Sequence, residues 1–369
     1  MLKKIKEFFA KETVLCVAAI CAIGTMFLVP PDIEYLHYID FRVLCLLLCL
    51  MAVVAGLKAI GIFNWLTYQM LRRIQNGHTL SVTLVLLPFF CSMFVTNDVA
   101  LIIFIPFTLL LLQQLGCSRS IIPVTVFQTI AANLGSMATP VGNPQNLYLY
   151  AFYDLSIGDF FSVTLPLTTV SLIALSAASI SLLPKKLPEQ KLDEAKISST
   201  KHLLIYLALF TLCLLTVFRV VPYPLTTAFT ICILFLVDRK LLKEIDYMLL
   251  LTFVCLFTVS ENLGRVDEIR IFLQQLLQEN TLLTAIGTSQ IISNVPAAIM
   301  LSGFTTQWQD MLSGVNIGGL GTPIASLASL ITIKFYMRWQ DAKIGRFLIF
   351  FTAANVVALV ILLLFAQII

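Results

Sequence analysis

The sequence predicts an all-α polytopic membrane protein made of two inverted repeats, each with a re-entrant hairpin and a discontinuous helix. Three observations predict it. Of 369 residues, 59% are hydrophobic and only 12% charged, against about a quarter charged in soluble domains, and mean hydropathy is +0.94. The apolar residues fall in runs of about 17–25, the length that crosses a hydrocarbon core of ~30 Å. An eleven-residue motif occurs twice, each time beyond a polar interruption of an apolar run. So many unbroken apolar runs would leave a soluble helical protein too little polar surface.

The elements follow in order. A basic stretch with Lys3, Lys4, Lys6 and Lys11 precedes the first run, 13–29, which ends at Val29-Pro30-Pro31-Asp32. No small-residue cleavage site follows, so the run reads as a retained span rather than a signal peptide. With the N-terminus placed inside, 13–29 leads out, 41–60 returns, and 63–78 is an amphipathic stretch on the inner face. Residues 80–115 enter and leave on that face, 120–150 cross outward and 160–183 cross back. Beyond a lysine-rich loop, 203–218 leads out, 225–237 in and 246–263 out. Residues 282–312 dip in from the outer face, 314–336 cross inward and 344–369 end outside. This layout leaves Arg42, Arg219, Arg265 and Arg270 outside, four of 24 basic residues, in keeping with the Lys/Arg excess of cytoplasmic loops. The expected location is the plasma membrane, with the N-terminus cytoplasmic and the C-terminus outside. Reading either hairpin as two crossings keeps the same parity, so the polar motifs have to decide between them.

Asn133-Leu-Gly-Ser-Met-Ala-Thr-Pro-Val-Gly-Asn143 aligns without gaps to Asn316-Ile-Gly-Gly-Leu-Gly-Thr-Pro-Ile-Ala-Ser326. Asp40 and Asp246 each open a long apolar run upstream. Each motif follows a polar tip, Thr96-Asn97-Asp98 or Ser293-Asn294-Val295. Residues 1–183 thus form the first repeat and 222–369 the second, with a loop and one linking span in 184–221. That odd span inverts the second unit. Inverted repeats with sites at interrupted helices are an architecture of secondary transporters.

The residue types suit a binding site. Thr96-Asn97-Asp98 lies about sixteen residues from either end of its apolar stretch, where polar groups are costly unless they face protein or a water-filled cavity. Thr, Asn and Asp favour helix starts over helix interiors, so a helix should break there and restart. In Ser293-Asn294-Val295-Pro296, proline just inside a new helix has the same meaning. A helix start offers N–H groups and partial positive charge, and so holds an anion without Lys or Arg. The two Gly, two Pro and three Asn of 133–146 make a continuous helix there implausible. Unwound backbone at membrane depth is tolerated where it lines a cavity. Its carbonyls, with Asn, Ser and Thr oxygens, suit a hard cation such as Na⁺. Asp98 can bind Na⁺, carry a coupling proton or cap its helix. The nine cysteines lie mostly in apolar runs without metal-type spacing. They read as small hydrophobes, and no transition metal or cofactor is expected. A net charge of +4 gives no reason to invoke nucleic acid.

Thr139-Pro-Val-Gly-Asn-Pro-Gln-Asn146 and Ser293-Asn-Val-Pro296 resemble signatures of citrate-transporter-like members of the ion transporter superfamily. That group includes citrate and dicarboxylate permeases, arsenite permeases and NhaD-type sodium/proton antiporters. Thr96-Asn97-Asp98 is more similar to the arsenite and antiporter branches, and both tips depart from the Ser-Asn-Thr triplet of dicarboxylate members. The resemblance covers nearly the whole chain. It implies a homodimer whose protomers each have a scaffold part and a mobile transport part. It also implies that Asn97 and Asn294 touch substrate or flanking cations, with Gly142, Asn143, Gly321 and Thr322 completing cation sites.

The expected function is therefore secondary active transport of a small carboxylate or inorganic oxyanion, coupled to Na⁺ or H⁺, by elevator-like alternating access. The expected substrate contacts are Thr96, Asn97, Ser293, Asn294, Thr139, Pro140, Thr322 and Pro323. Coupling falls to Asp98, Asn133, Gly142, Asn143, Asn146, Asn316 and Gly321. The alternative is Na⁺/H⁺ antiport or arsenite efflux through Asp98. No Ser/His or metal–His set lies in the spans, which argues against an intramembrane enzyme.

Overall fold

The computed structural model describes residues 12–72, 74, 76–187, 194–340 and 342–368. The lysines at positions 3, 4, 6 and 11 lie outside them. Among the described residues the protein is all helical, without strands. The helices are α1 (Thr13–Met26), α2 (Phe41–Ala59), α3 (Ile62–Leu71), α4 (Gly77–Ser92), α5 (Asn97–Gln114), α6 (Ile121–Ser136), α7 (Pro144–Phe152) and α8 (Ile157–Ser179). They continue as α9 (Thr200–Val217), α10 (Tyr223–Asp238), α11 (Tyr247–Gly264), α12 (Asp267–Ile292), α13 (Asn294–Ser302), α14 (Trp308–Gly318), α15 (Leu327–Met337) and α16 (Ile344–Ala366). Among the described residues six helical stretches are long and apolar enough to cross a membrane: the one that ends in α2 and those that form α5, α8, α9, α11 and α16.

Local chemistry sets the starts. Asp40 accepts from Val43 N at 3.0 Å and Asp246 from Leu249 N at 2.9 Å, capping α2 and α11 alike. Ser156 and Asp159 form a reciprocal capping box at α8. Such caps satisfy first-turn N–H groups that have no partner inside the helix.

The same order of elements occurs twice. A long helix (α2, α11) precedes a short one, then two helices joined at a polar tip, two joined across an unwound segment, and a long closing helix. In the second unit the short helix and the first hairpin arm run together as α12, broken only by the extended backbone of Asn280. Packing is reciprocal: α4 lies on α6 and α12 on α14, α5 on α15 and α13 on α7, α1 on α11 and α10 on α2. One apolar core joins α2, α9, α10 and α11 to α7 and α13. The other lies among α4, α5, α6, α8, α15 and α16.

Two sequence boundaries are corrected. The second tip's outgoing helix α13 stops at Ser302, and Leu312 belongs to α14, so 282–312 holds more than a hairpin. A turn at 303–307, with Gly303 and two threonines, interrupts what hydropathy alone reads as one arm. The amphipathic stretch 63–78 is likewise shorter, since α3 ends at Leu71 and Gly77 already begins α4.

Candidate functional site: a gap where four helices begin

The two tips meet. Asn97 and Asp98 of α5 and Asn294 and Val295 of α13 line one small gap with Pro144 and Gln145 of α7, Leu327 of α15 and Ser326 just before it. Leu249 of α11 completes the wall. The gap has a volume of about 10 Å³, room for roughly one water. Four helices start there, and no Lys or Arg is among its lining residues. Each start carries first-turn N–H groups and about half a positive charge. The side chains of Thr96, Asn143 and Ser293 cap none of the helices they precede. Only Ser326 does so, accepting from Ala328 N at 3.2 Å.

Asparagines lock the arrangement. Asn97 donates from Nδ2 to Asn133 Oδ1 at 2.9 Å, and the same oxygen accepts from Ser326 Oγ at 3.0 Å. Asn316 donates to Asn146 Oδ1 and Leu312 O, both at 2.8 Å. Asn133 and Asn316, at matching motif positions, therefore each bond across to the other unit, Asn133 to Ser326 just before α15 and Asn316 to Asn146 in the first turn of α7. Asn143 Nδ2 bonds Ser136 Oγ at 2.6 Å, and Asn146 Nδ2 lies 3.4 Å from the carbonyls of Ser136, Met137 and Thr139. Each unwound segment needs a glycine. A Cβ on Gly142 would come 2.1 Å from Ser136 O, and Gly321 holds φ +101°.

Thr139, Pro140, Thr322 and Pro323 line neither this gap nor the larger cavity beside it. Their place is behind the tips. Thr139 Oγ1 donates to Met93 O at 2.5 Å, and Thr322 Oγ1 to Gln290 O at 3.0 Å. Each acceptor lies three residues before its tip, so the two bonds are equivalent tethers. Ser293, at φ +77°, donates to Ala325 O at 3.3 Å.

A vestibule of about 580 Å³ adjoins the gap and shares Asp98 and Pro144 with it. Thr96 and Asn143 line it too, as do Leu47, Leu50 and Val54 of α2. Lys58, Asp238, Lys240 and Glu244, all near helix ends, also border it. Asp98 Oδ1, Asn143 Oδ1 and Gln145 Nε2, on the walls of these two spaces, have no hydrogen-bond partner, nor has Asn316 Oδ1, which lines neither. No cluster of three or more His, Cys, Asp or Glu exists among the described residues. Gln145 and Ser326 are not among the contacts expected from the sequence, although Gln145 is the second residue of α7 and Ser326 immediately precedes α15.

An uncharacterized transporter of Methanocaldococcus jannaschii is 31% identical over 336 residues, 91% of this chain and 92% of its own. The inner membrane protein YbiR of Escherichia coli is 29% identical over 316 residues, 85% of this chain and 84% of its own. A silicon efflux transporter of Oryza sativa is 32% identical over 128 residues, 35% of this chain and 26% of the rice protein. The citrate transporter family profile matches residues 5–309, and the chain is an integral membrane transporter belonging to that family.

Proposed function

We propose that this protein is a secondary active transporter that moves a small carboxylate or inorganic oxyanion, coupled to Na⁺ or H⁺, by alternating access. One observation carries the reading: four helix starts open on a gap that no basic side chain lines. Asp98 stands in that gap and already uses part of its positive potential. Two like charges 4 Å apart repel by about 4 kcal/mol at an effective dielectric of 20. An anion therefore binds best when Asp98 is neutralised by a proton or a sodium ion, and this links the two fluxes. For Na⁺, the unpartnered oxygens of Asp98, Asn143 and Asn316 are hard donors, beside the unwound backbone around Gly142 and Gly321.

The repeated element order and reciprocal packing support two inverted repeats. In that arrangement the vestibule faces the cytoplasm of a plasma membrane, since Lys58 and Lys240 border it and basic residues concentrate inside. The N-terminus is then cytoplasmic and the C-terminus outside. At the opposite end α13 packs on α11, whereas the vestibule lies between the equivalent pair α5 and α2. Exchanging these two relations carries the gap from one face to the other in elevator fashion. The working unit is a homodimer, as the resemblance implies.

A second reading rests on Asp98 alone. Its unpartnered oxygen beside a vestibule suits Na⁺/H⁺ exchange, or efflux of an arsenite-like acid against protons.

Uptake into proteoliposomes tests the proposal. Asn97→Ala and Asn294→Ala variants should elute as folded protein yet lose anion uptake driven by a Na⁺ or pH gradient. Full uptake in both removes the first reading. A pH-sensitive dye that responds to Na⁺ with no anion present favours the second.

A further inference from the structure

Two buried glutamines, Gln128 and Gln145, and the half-buried Gln290 have amides that can be compared. Gln128 donates from Nε2 to Leu84 O and Thr108 Oγ1, both at 2.8 Å. Gln290 donates to Gly318 O and Leu320 O, both at 2.9 Å, and accepts from Thr322 N at 2.8 Å. Gln145 differs. It is 1% exposed, its Nε2 has no partner, and it lines the gap with Asn97, Asp98 and Asn294.

A buried amide without a partner destabilises the fold, and an apolar side chain of equal length would cost less. The unwound segment does not need a polar group at this point either. Continuing the motif alignment sets Asn143 against Ser326, Pro144 against Leu327 and Gln145 against Ala328. The second copy thus makes the same helix start with a methyl group. Asp98 is unmatched in the same way, by Val295. Gln145 and Asp98 both line the gap, and both come from the first unit.

Resting on the anion reading above, we propose that Gln145 is a ligand-contacting, specificity-determining residue. Its side-chain amide donates to the one oxygen of a carboxylate or oxyanion group that the gap can hold among the four helix starts, the rest of the anion lying in the adjoining vestibule. The helix starts supply attraction for any anion. A planar amide adds a directed donor, which favours oxygen-bearing groups of compact shape.

Thermal unfolding of the purified full chain in detergent, titrated with citrate, succinate, phosphate or sulfate in the presence of Na⁺, tests this. Wild type should be stabilised by at least one of these anions. Gln145→Met, equal in length but without donors, should keep the ligand-free Tm within about 2 °C or raise it. It should need at least about tenfold more of that anion for the half-maximal shift. Gln145→Glu, which places a second carboxylate in the gap, should show no shift. Gln128→Met serves as a structural comparison, with a lowered ligand-free Tm and an unchanged half-maximal concentration. If Gln145→Met behaves like that comparison, the proposal is overturned while the anion reading stands. If wild type responds to none of the anions, both fall. Should Gln145→Met not fold, Gln145→Glu decides: an unchanged half-maximal concentration refutes the role, and a loss of tenfold or more supports it.

Discussion

Arg219 pairs with Asp154 at 2.6 Å, and both residues hold left-handed backbone, with φ of 65° and 53°. Asp154 follows the last turn of α7 and Arg219 that of α9. In both places the next N–H reaches back to the helix, Leu155 to Tyr150 O and Val220 to Leu215 O. Glycine is the usual residue at such helix ends. Here the side chains give a reason for its absence, because Arg219 also lies 5.5 Å over the ring of Tyr150. The pair ties the far end of α7, which begins at the gap, to the α9–α10 turn.

Arg219→Gly should therefore be less harmful than Arg219→Ala. Glycine loses the ion pair but relieves the left-handed backbone, whereas alanine loses the pair and keeps the strain of about 1 kcal/mol or more. The pair itself contributes about 0.2–1 kcal/mol, since Asp154 is mostly exposed. Denaturant titration of both variants measures the ordering. An alanine variant as stable as the glycine variant would contradict it.

Asp98→Asn should separate the two proposed fluxes. The variant keeps the shape of the gap but has no charge to neutralise. Anion-induced thermal stabilisation should survive and lose its dependence on Na⁺ and on pH. Retention of the full wild-type dependence would place coupling elsewhere.

Gly142→Ala should unfold the turn behind the first tip. Its new Cβ would meet Ser136 O at 2.1 Å, a backbone atom, and overpacking of this kind costs about 1–3 kcal/mol. Gly24→Ala, with nothing within 4 Å, should be neutral or stabilising by up to about 1 kcal/mol, as for a helical glycine. The difference in Tm between the two variants is the measurement.

Asp32 predicts a pH effect on stability. It bonds Arg265 at 2.7 Å, and the guanidinium beside it holds its carboxyl below the ordinary value of 3.8. A carboxyl with a lowered folded pKa stabilises the fold above its unfolded pKa and ceases to as pH falls through the folded one. The Tm difference between wild type and Asp32→Asn should be constant above about pH 5 and shrink below about pH 4. A difference that grows on acidification would reverse the assignment.

Tyr148→Phe should destabilise by about 1–3 kcal/mol, the cost of an unmade buried hydrogen bond. Its hydroxyl lies 2.8 Å from Ser302 Oγ, linking α7 to the end of α13. Ser302→Ala in the same background should add little, since the partner is already gone. A double-mutant cycle reads the coupling.

The tips are legible in the sequence because Thr96-Asn97-Asp98 and Ser293-Asn294-Val295-Pro296 interrupt apolar runs with residues that start helices. The unwound segments are legible for the same reason, as glycine and proline cannot sustain a helix through 137–143 or 319–326. The outgoing end of the second hairpin is not, since the turn at 303–307 lies inside an otherwise apolar stretch. Asn262 stands at a span end, where water is the obvious partner. Folding instead buries it, with bonds to Thr25 Oγ1 at 3.1 Å and Tyr35 OH at 2.9 Å. Those partners lie more than two hundred positions away, and local pattern carries no trace of them. That α7 and α15 begin where α5 and α13 begin is a tertiary fact of the same kind. For this reason the role of Gln145 emerges only from the assembled structure.

The attraction built into the gap belongs to peptide groups. Neither acid nor base alters it, chemical modification of lysine or arginine has nothing there to react with, and exchanging one side chain leaves the aligned amides in place. What responds to the surrounding solution is a single carboxyl group set among them. In the proposed mechanism such a site resembles a permanent magnet with one movable shutter: the pull is constant, and the neutralisation of Asp98 decides when it is available.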